Sequence, residues 1–168
     1  MAFHGYVATT GAKQGKFKGE SNKTARKEKN FSDILSYAQG SSVNVDPKTG
    51  LPKGSRTHRP IVIIKERGAS SAQFLQAHWT GETLTEVVIE LAGRPASGQG
   101  EIVVERITLS NATISDMKRY TPTLSGEVSE HSSDLLDEIS FVFTAIKIED
   151  PVNSTGTSDD WRSNDGTT

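Results

Sequence analysis

The sequence contains no cysteine and no long run of apolar residues. The absence of cysteine excludes disulfide bonds, cysteine-ligated zinc and thiol catalysis. No stretch approaches the ~20 apolar residues that a helix needs to cross a bilayer, so membrane insertion is not expected. The opening stretch MAFHGYVATTGAKQG lacks the apolar segment of a secretory signal peptide. We therefore expect the chain to fold in the cytoplasm and to leave the cell, if it is exported, without a cleaved signal peptide.

Apolar residues are scarce, at 33% of the 168 residues. This length suits one domain with a workable core, and the low apolar share predicts a thin core with long polar connections. We expect the domain to span residues 1–150. From residue 151 the composition shifts to Ser, Thr, Asn, Asp and Gly, which predicts a disordered acidic tail over 151–168.

Catalytic and metal-binding motifs are also missing. The histidines do not occur in the HxxxH, HExxH or HxH spacing of zinc sites, and the sequence has no GxSxG elbow and no phosphate-binding P-loop. The acidic pairs Glu149–Asp150 and Asp159–Asp160 fall in or beside the predicted tail, where catalytic geometry would not be held. The sequence therefore predicts no catalytic residue, no cofactor and no metal ligand.

Charge is present but unevenly placed. Residues 13–29 carry seven basic and two acidic side chains, whereas residues 149–168 carry five acidic side chains and one basic. Two opposite patches favour head-to-tail self-association as readily as nucleic-acid binding, and two solvated segments would look the same. Because Phe17 is the only aromatic residue available for base stacking in the basic segment, we do not expect a nucleic-acid partner.

Alternating and β-branched residues predict a chain of strands separated by polar turns. The segment 13–30 is polar and Lys-rich and reads as a loop, with room for a short strand near Phe17. Residues 120–133 form a second polar loop. Strands are predicted at residues 3–9, 31–45, 60–64, 83–91, 101–115 and 135–149.

One helix is predicted after residue 70. Ser70 and Gln73 fit a capping box, and Gly81 provides the stop. The 3.6-residue period places Phe74, Leu75 and His78 on one face, where we expect them to pack against the sheet. The whole pattern predicts a mainly β fold: a small antiparallel β-barrel of two sheets with one short flanking α-helix and an extended loop.

The extended loop lies directly before a core strand. Residues 45–68 read VDPKTGLPKGSRTHRPIVIIKERG. The segment 46–50 is a strong turn, because Pro fixes φ and Gly tolerates positive φ. Pro52 and Gly54 are expected to prevent regular structure until Arg56.

The same region carries a resemblance to a known family. GSRTHRP at 54–60, IVIIKE at 61–66, the helix after residue 70 and VVIE at 87–90 follow one another as in the Hcp family, the haemolysin-coregulated tube proteins of bacterial type VI secretion systems. KGES at 18–21 matches an early motif of that family. Residues 107–117, 120–122 and 137–148 are similar to its last two strands and the loop between them.

This resemblance implies a structural protein rather than an enzyme. It implies homohexameric rings that stack into a tube, a contractile sheath and spike proteins as partners, and effector proteins carried in the lumen. It also implies assembly in the cytoplasm followed by secretion. The extended loop would contact a neighbouring subunit or ring through Asp46, Pro47, Lys48, Gly50, Lys53, Arg56, His58 and Arg59.

Two other classes of function remain compatible with the residues. A cytoplasmic binding barrel unrelated to secretion would elute as a monomer. An unusual barrel hydrolase would need a convergent polar cluster, which the sequence does not reveal.

Overall fold

The computed structural model describes residues 3–98, 100–121 and 135–161. Within these ranges the chain forms twelve strands and two helices. In chain order they are β1 (Phe3–Gly11), β2 (Gly15–Lys16), α1 (Thr24–Lys27), β3 (Ser32–Ile34), β4 (Ser36–Ala38), β5 (Ser41–Val45), β6 (Pro52–His58), β7 (Ile61–Glu66), α2 (Ser71–Thr80), β8 (Leu84–Gly93), β9 (Ile102–Tyr120), β10 (Leu136–Val142), β11 (Ala145–Asp150) and β12 (Thr155–Asp160).

Ten of these strands form one antiparallel sheet, which confirms the predicted mainly β class. The main path runs β2–β1–β8–β9–β10–β7–β4. The long strand β9 pairs with β8, and its other edge pairs with β11 in its first half and β10 in its second. β3 pairs with β1, whereas β4 pairs with β7. No strand pairing joins β1 and β3 to β7 and β4 among the described residues, so the barrel is not closed. β5 and β6 form a second sheet of two strands.

The core lies on the inner face of the large sheet. Six apolar residues of β8, β9 and β10 are fully buried there, because the period of two sends alternate side chains to the same face. They are Val87, Ile89, Ile107, Leu109, Ile139 and Phe141. Helix α2 covers this face. Its Phe74 ring lies 4.9 Å from the Phe17 ring and 6.3 Å from the Phe141 ring, both in edge-to-face contact.

Helix α2 begins differently from the prediction and ends as predicted. Gly81 follows the helix in the left-handed conformation, with φ of 66°. The capping box does not form, because the side chains of Ser70 and Gln73 hydrogen-bond instead to residues in the segment that precedes β3. The Ser70 hydroxyl donates to Glu20 Oε1 at 2.7 Å, and the Gln73 side-chain oxygen accepts the Lys18 N–H at 2.8 Å.

Several predicted boundaries are wrong. The strand expected at 31–45 is divided into β3, β4 and β5, and the strand expected at 135–149 is divided into β10 and β11. The predicted loop over 13–30 contains β2, as allowed for near Phe17, and also helix α1. The loop predicted at 120–133 lies outside the described residues from position 122.

The tail is not disordered over its described part. Residues 155–160 form β12, which pairs with β11 from Ala145↔Asp160 to Asp150↔Thr155. The Trp161 N–H then donates to the Thr144 carbonyl at 3.0 Å. Backbone pairing with an edge strand orders a polar segment that side-chain composition alone marks as unable to fold.

Candidate assembly hairpin and its anchor

The extended loop is a β-hairpin, which we define as residues 41–58. β5 and β6 pair from Ser41↔His58 to Val45↔Pro52, with a register shift between Val43 and Val45. The turn between them is built as the sequence suggests. The Asp46 carbonyl accepts the Gly50 N–H at 2.8 Å, the Asp46 carboxylate accepts the Lys48 N–H at 2.8 Å, and Gly50 has φ of 69°.

The expectation that Pro52 and Gly54 exclude regular structure is wrong. Pro52 is the first residue of β6, a position where a strand does not need the N–H that proline lacks. β6 also pairs on one side only, within a two-stranded sheet. Gly54 has φ of 83°, so it bends the strand in a conformation that other residues rarely adopt.

The hairpin exposes most of its side chains. Its apolar residues Val43, Val45 and Leu51 are 47%, 54% and 64% exposed, and Lys48 and Lys53 are exposed beside them. The chain itself therefore leaves this element uncovered. Apolar side chains interleaved with lysines on a projecting strand pair can supply both contact area and charge to a partner.

The root of the hairpin is held by the C-terminal strand. The Arg56 guanidinium donates through Nε and Nη2 to the two carboxylate oxygens of Asp159. His58 Nε2 lies 2.6 Å from Asp159 Oδ2. The His58 ring centroid is 5.3 Å from that of Trp161 and 5.5 Å from that of Phe143. We call Arg56, His58, Asp159 and Trp161 the anchor cluster.

Electrostatics in the anchor cluster favour the ionised carboxylate. Hydrogen bonds from Arg56 lower the pKa of Asp159 to about 2, with a smaller contribution from His58, although burial acts in the opposite direction. Asp159 therefore remains negatively charged at neutral pH. The same interaction raises the pKa of Arg56.

The predicted site residues thus separate into two groups. Asp46, Pro47 and Gly50 shape the turn, and Lys48, Lys53 and Arg59 are exposed. Arg56 and His58 instead point to the anchor cluster of their own chain. Of the three residues predicted to pack helix α2 against the sheet, Phe74 is buried, whereas Leu75 and His78 are half-buried. Ala77, which was not predicted, is also buried.

The basic segment 13–29 is also used within the chain. The Lys23 ammonium lies 2.6 Å from Glu101, and the Arg26 guanidinium lies 2.5 Å from Glu90. Arg26 also stacks over the Tyr6 ring at 4.4 Å. Nothing in the local sequence identifies these partners, because they are distant along the chain.

A third ion pair and a carboxylate hold the rest of this segment. Lys65 is fully buried, and its ammonium lies 2.5 Å from Glu20 Oε1. Glu82 accepts the Lys13 N–H at 2.5 Å and the Gln14 N–H at 2.7 Å. Lys65 and Glu82 therefore hold residues 13–20 against the rest of the fold.

Residues 3–98, 100–121 and 135–161 were compared with the geometry of metal sites and with the length of membrane-spanning helices. No group of three His, Asp or Glu side chains in these ranges is arranged to hold a metal ion. Over the same residues, neither helix has the length and hydropathy to cross a membrane.

Comparison with known proteins assigns this chain to a family, because a family sequence model matches most of it. The model, described as a type VI secretion system effector, Hcp, matches residues 6–149. The chain belongs to the Hcp family, and the resemblance inferred from the sequence is confirmed.

Individual relatives agree with this assignment. The chain is 31% identical over 170 residues to the "Major exported protein" of Pseudomonas aeruginosa, a match that covers 97% of this chain and 98% of that one. A crystal structure of an Hcp protein superposes with a TM-score of 0.86 at 23% identity, over 96% of this chain and 99% of that one. The secreted protein Hcp3 from Pseudomonas aeruginosa gives a TM-score of 0.72 at 25% identity, over 96% and 99% of the two chains.

Proposed function

We propose that this protein is a structural subunit of the type VI secretion tube and forms homohexameric rings that stack. The observation that carries the proposal is the hairpin, which presents Val43, Val45 and Leu51 to solvent on a chain of the Hcp family. Apolar side chains grouped on a projecting element are typical of an interaction surface. A neighbouring copy of the chain is the partner that would cover them.

The hairpin residues divide the work of assembly. Asp46, Pro47 and Gly50 hold the turn, so little conformational entropy is lost when the tip is ordered at an interface. Lys48, Lys53 and Arg59 supply exposed charges. Arg56 and His58, which were predicted as contacts with a neighbour, hold the hairpin on its own chain through Asp159.

The remaining partners follow from this role. We propose that the assembled tube is enclosed by a contractile sheath, is tipped by spike proteins and carries effector proteins in its lumen. The ring assembles in the cytoplasm and the protein is then secreted without a cleaved signal peptide. The name of the Pseudomonas aeruginosa relative, an exported protein, supports the last step. In this role the protein has no catalytic function.

The test compares assembly of the parent with that of a hairpin variant. In the variant, residues 48–55 are replaced with a Gly/Ser linker. For the parent, light scattering should give the mass of a ring of six subunits. We expect each contact between neighbouring subunits to bury about 1,200–2,000 Å². Negative-stain microscopy should show rings and tubes.

The hairpin variant should keep a folded sheet, because β5 and β6 pair only with each other among the described residues. It should lose stacking, and its secretion should fall. A matched control replaces the exposed turn at 95–98 with the same linker and should assemble normally. A parent that remains monomeric at micromolar concentration would instead favour the cytoplasmic binding barrel.

A further inference from the structure

The hairpin has a weak connection to the rest of the molecule. Within the described residues, no strand of the ten-stranded sheet pairs with β5 or β6. An isolated two-stranded hairpin is marginally stable in water. Its direction relative to the sheet must therefore be set by contacts at its root.

The polar contacts at the root are made with the end of strand β12, mainly with Asp159 and also with the Asp160 carbonyl, which accepts from Arg56 Nη2 at 3.3 Å. Arg56 and His58 are two positions apart on β6, so their side chains leave the strand on the same face. Both meet the carboxylate of Asp159. A bidentate arginine–carboxylate pair fixes orientation as well as distance, because both groups are planar.

The other half of the anchor cluster is fixed to the large sheet. Asp159 lies opposite Ile146 in the β11–β12 ladder, and Ile146 is buried in the core. The backbone N–H of Trp161 donates a hydrogen bond to the Thr144 carbonyl. This bond positions the Trp161 ring against His58. Phe143, also buried, contacts His58 from the sheet side.

We infer that the C-terminal strand β12 acts as a clamp: Asp159 and Trp161 hold the root of the hairpin, through Arg56 and His58, in the direction that assembly requires. The four residues are positioning residues, since they act through the hairpin tip. This inference rests on the proposed function only for its consequence in assembly. The clamp itself can be measured on the folded chain alone.

Hydrogen exchange of the full chain tests the clamp. In Asp159→Asn, amides of the hairpin should exchange at least about tenfold faster, because hydrogen bonds to charged groups contribute a factor of ten or more. Amides in the β8–β9 ladder should be unchanged, which shows that the sheet is folded. Glu149→Gln, which removes a partly exposed carboxylate paired with Lys147 on β11, is the matched control and should leave hairpin exchange unaltered.

A double-mutant cycle provides the second measurement. Arg56→Gln should accelerate hairpin exchange as Asp159→Asn does, and the double variant should add little to either, because the two side chains act as a pair. Trp161→Ala should produce a change confined to the same amides. Unchanged exchange in Asp159→Asn, or additive effects in the cycle, would overturn the clamp.

Assembly of the same variants separates the clamp from the proposed function. If the parent forms rings, Asp159→Asn should reduce the yield of stacked rings at equal protein concentration, and Glu149→Gln should not. Faster hairpin exchange with normal stacking would overturn the role of the clamp in assembly. If the parent forms no rings at all, the proposed function fails while the exchange result still decides whether the clamp exists.

Discussion

At the scale of single residues, Phe74 joins helix α2 to the sheet. Its ring is 2% exposed and lies between Phe17 and Phe141. Phe74→Ala should lower the free energy of unfolding by roughly 3–5 kcal/mol, since it removes a buried ring and leaves a cavity. Denaturant titration measures this loss. Trp79→Ala, on the exposed side of the same helix, should change stability by less than about 0.5 kcal/mol. A loss below about 1 kcal/mol for Phe74→Ala would contradict the packing described.

Lys65 gives a second prediction at this scale. Its ammonium is buried against Glu20, so Lys65→Met should destabilise the fold by about 3 kcal/mol by leaving a carboxylate unpaired. Adding Glu20→Gln should recover part of that loss, because the uncompensated charge is gone. Lys147→Met, at an exposed pair, is the control and should have little effect. If the double variant is less stable than Lys65→Met alone, the pair is not the source of the loss.

Single residues also show where sequence reasoning stops. Phe74 could be identified because residues three and four positions apart share one face of a helix, so their pattern along the sequence predicts which face is buried. Asp159 could not, since its partner Arg56 is 103 positions distant and neither residue has a local pattern. A family motif drew attention to Arg56 and His58, but no local pattern identified Asp159 as their partner within the chain.

At the scale of elements, strands with strong alternation were predicted well and weak ones were not. β8, β9 and β10 each bury one side of an apolar alternation, so the period of two places them in the chain, although it does not separate β10 from β11. The segment 31–45 has small polar residues between its apolar ones. Its division into β3, β4 and β5 depends on which neighbour each piece finds, β1, β7 or β6, and this is information from the tertiary structure.

Strand β12 leads to a prediction about truncation. A chain ending after Ser154 should still fold, because the residues of β12 are polar and mostly exposed. Its hairpin should nevertheless lose protection from exchange, because Asp159 and Trp161 of the anchor cluster are removed. Circular dichroism and hydrogen exchange on the same sample measure the two effects. A truncated chain whose hairpin exchanges like the parent would show that β12 has no part in holding it.

At the scale of the whole molecule, acid should weaken the fold. Burial raises the pKa of Glu20, Glu82 and Glu101, but hydrogen bonds outweigh it, and the pKa of each lies below the usual value of 4.5. Because the folded pKa is the lower one, the stabilisation is fully present above about pH 4.5 and is lost as pH falls below it.

Denaturation midpoints between pH 7 and pH 3 measure this loss. Glu82→Gln should make the pH dependence shallower, because one of the three carboxylates no longer titrates. An exposed carboxylate variant, Glu86→Gln, should retain the slope of the parent. Stability that rises as the pH falls from 5 to 3 would contradict the sign of these shifts.

Assembly should depend on salt, also at this scale. If Lys48 and Lys53 contact a neighbouring copy, their interactions are exposed and are screened over ~10 Å at 0.1 M salt. Stacked rings should therefore decrease when salt is raised, as measured by light scattering. Lys48→Gln with Lys53→Gln should form less tube at low salt and respond less to added salt. A parent whose stacking is independent of salt would assign the contact to Val43, Val45 and Leu51 alone.

The anchor cluster also determines how mechanical load travels through the subunit. A pull on the hairpin tip reaches the sheet by the covalent chain into β4 and β7 and, in parallel, through Arg56 and Asp159 into β12. From there it passes to β11 and then to β9, the longest strand of the sheet. The covalent connections and the ion pair share the force between separate parts of the sheet. The hairpin should therefore resist bending at its root better than one held by its covalent connections alone.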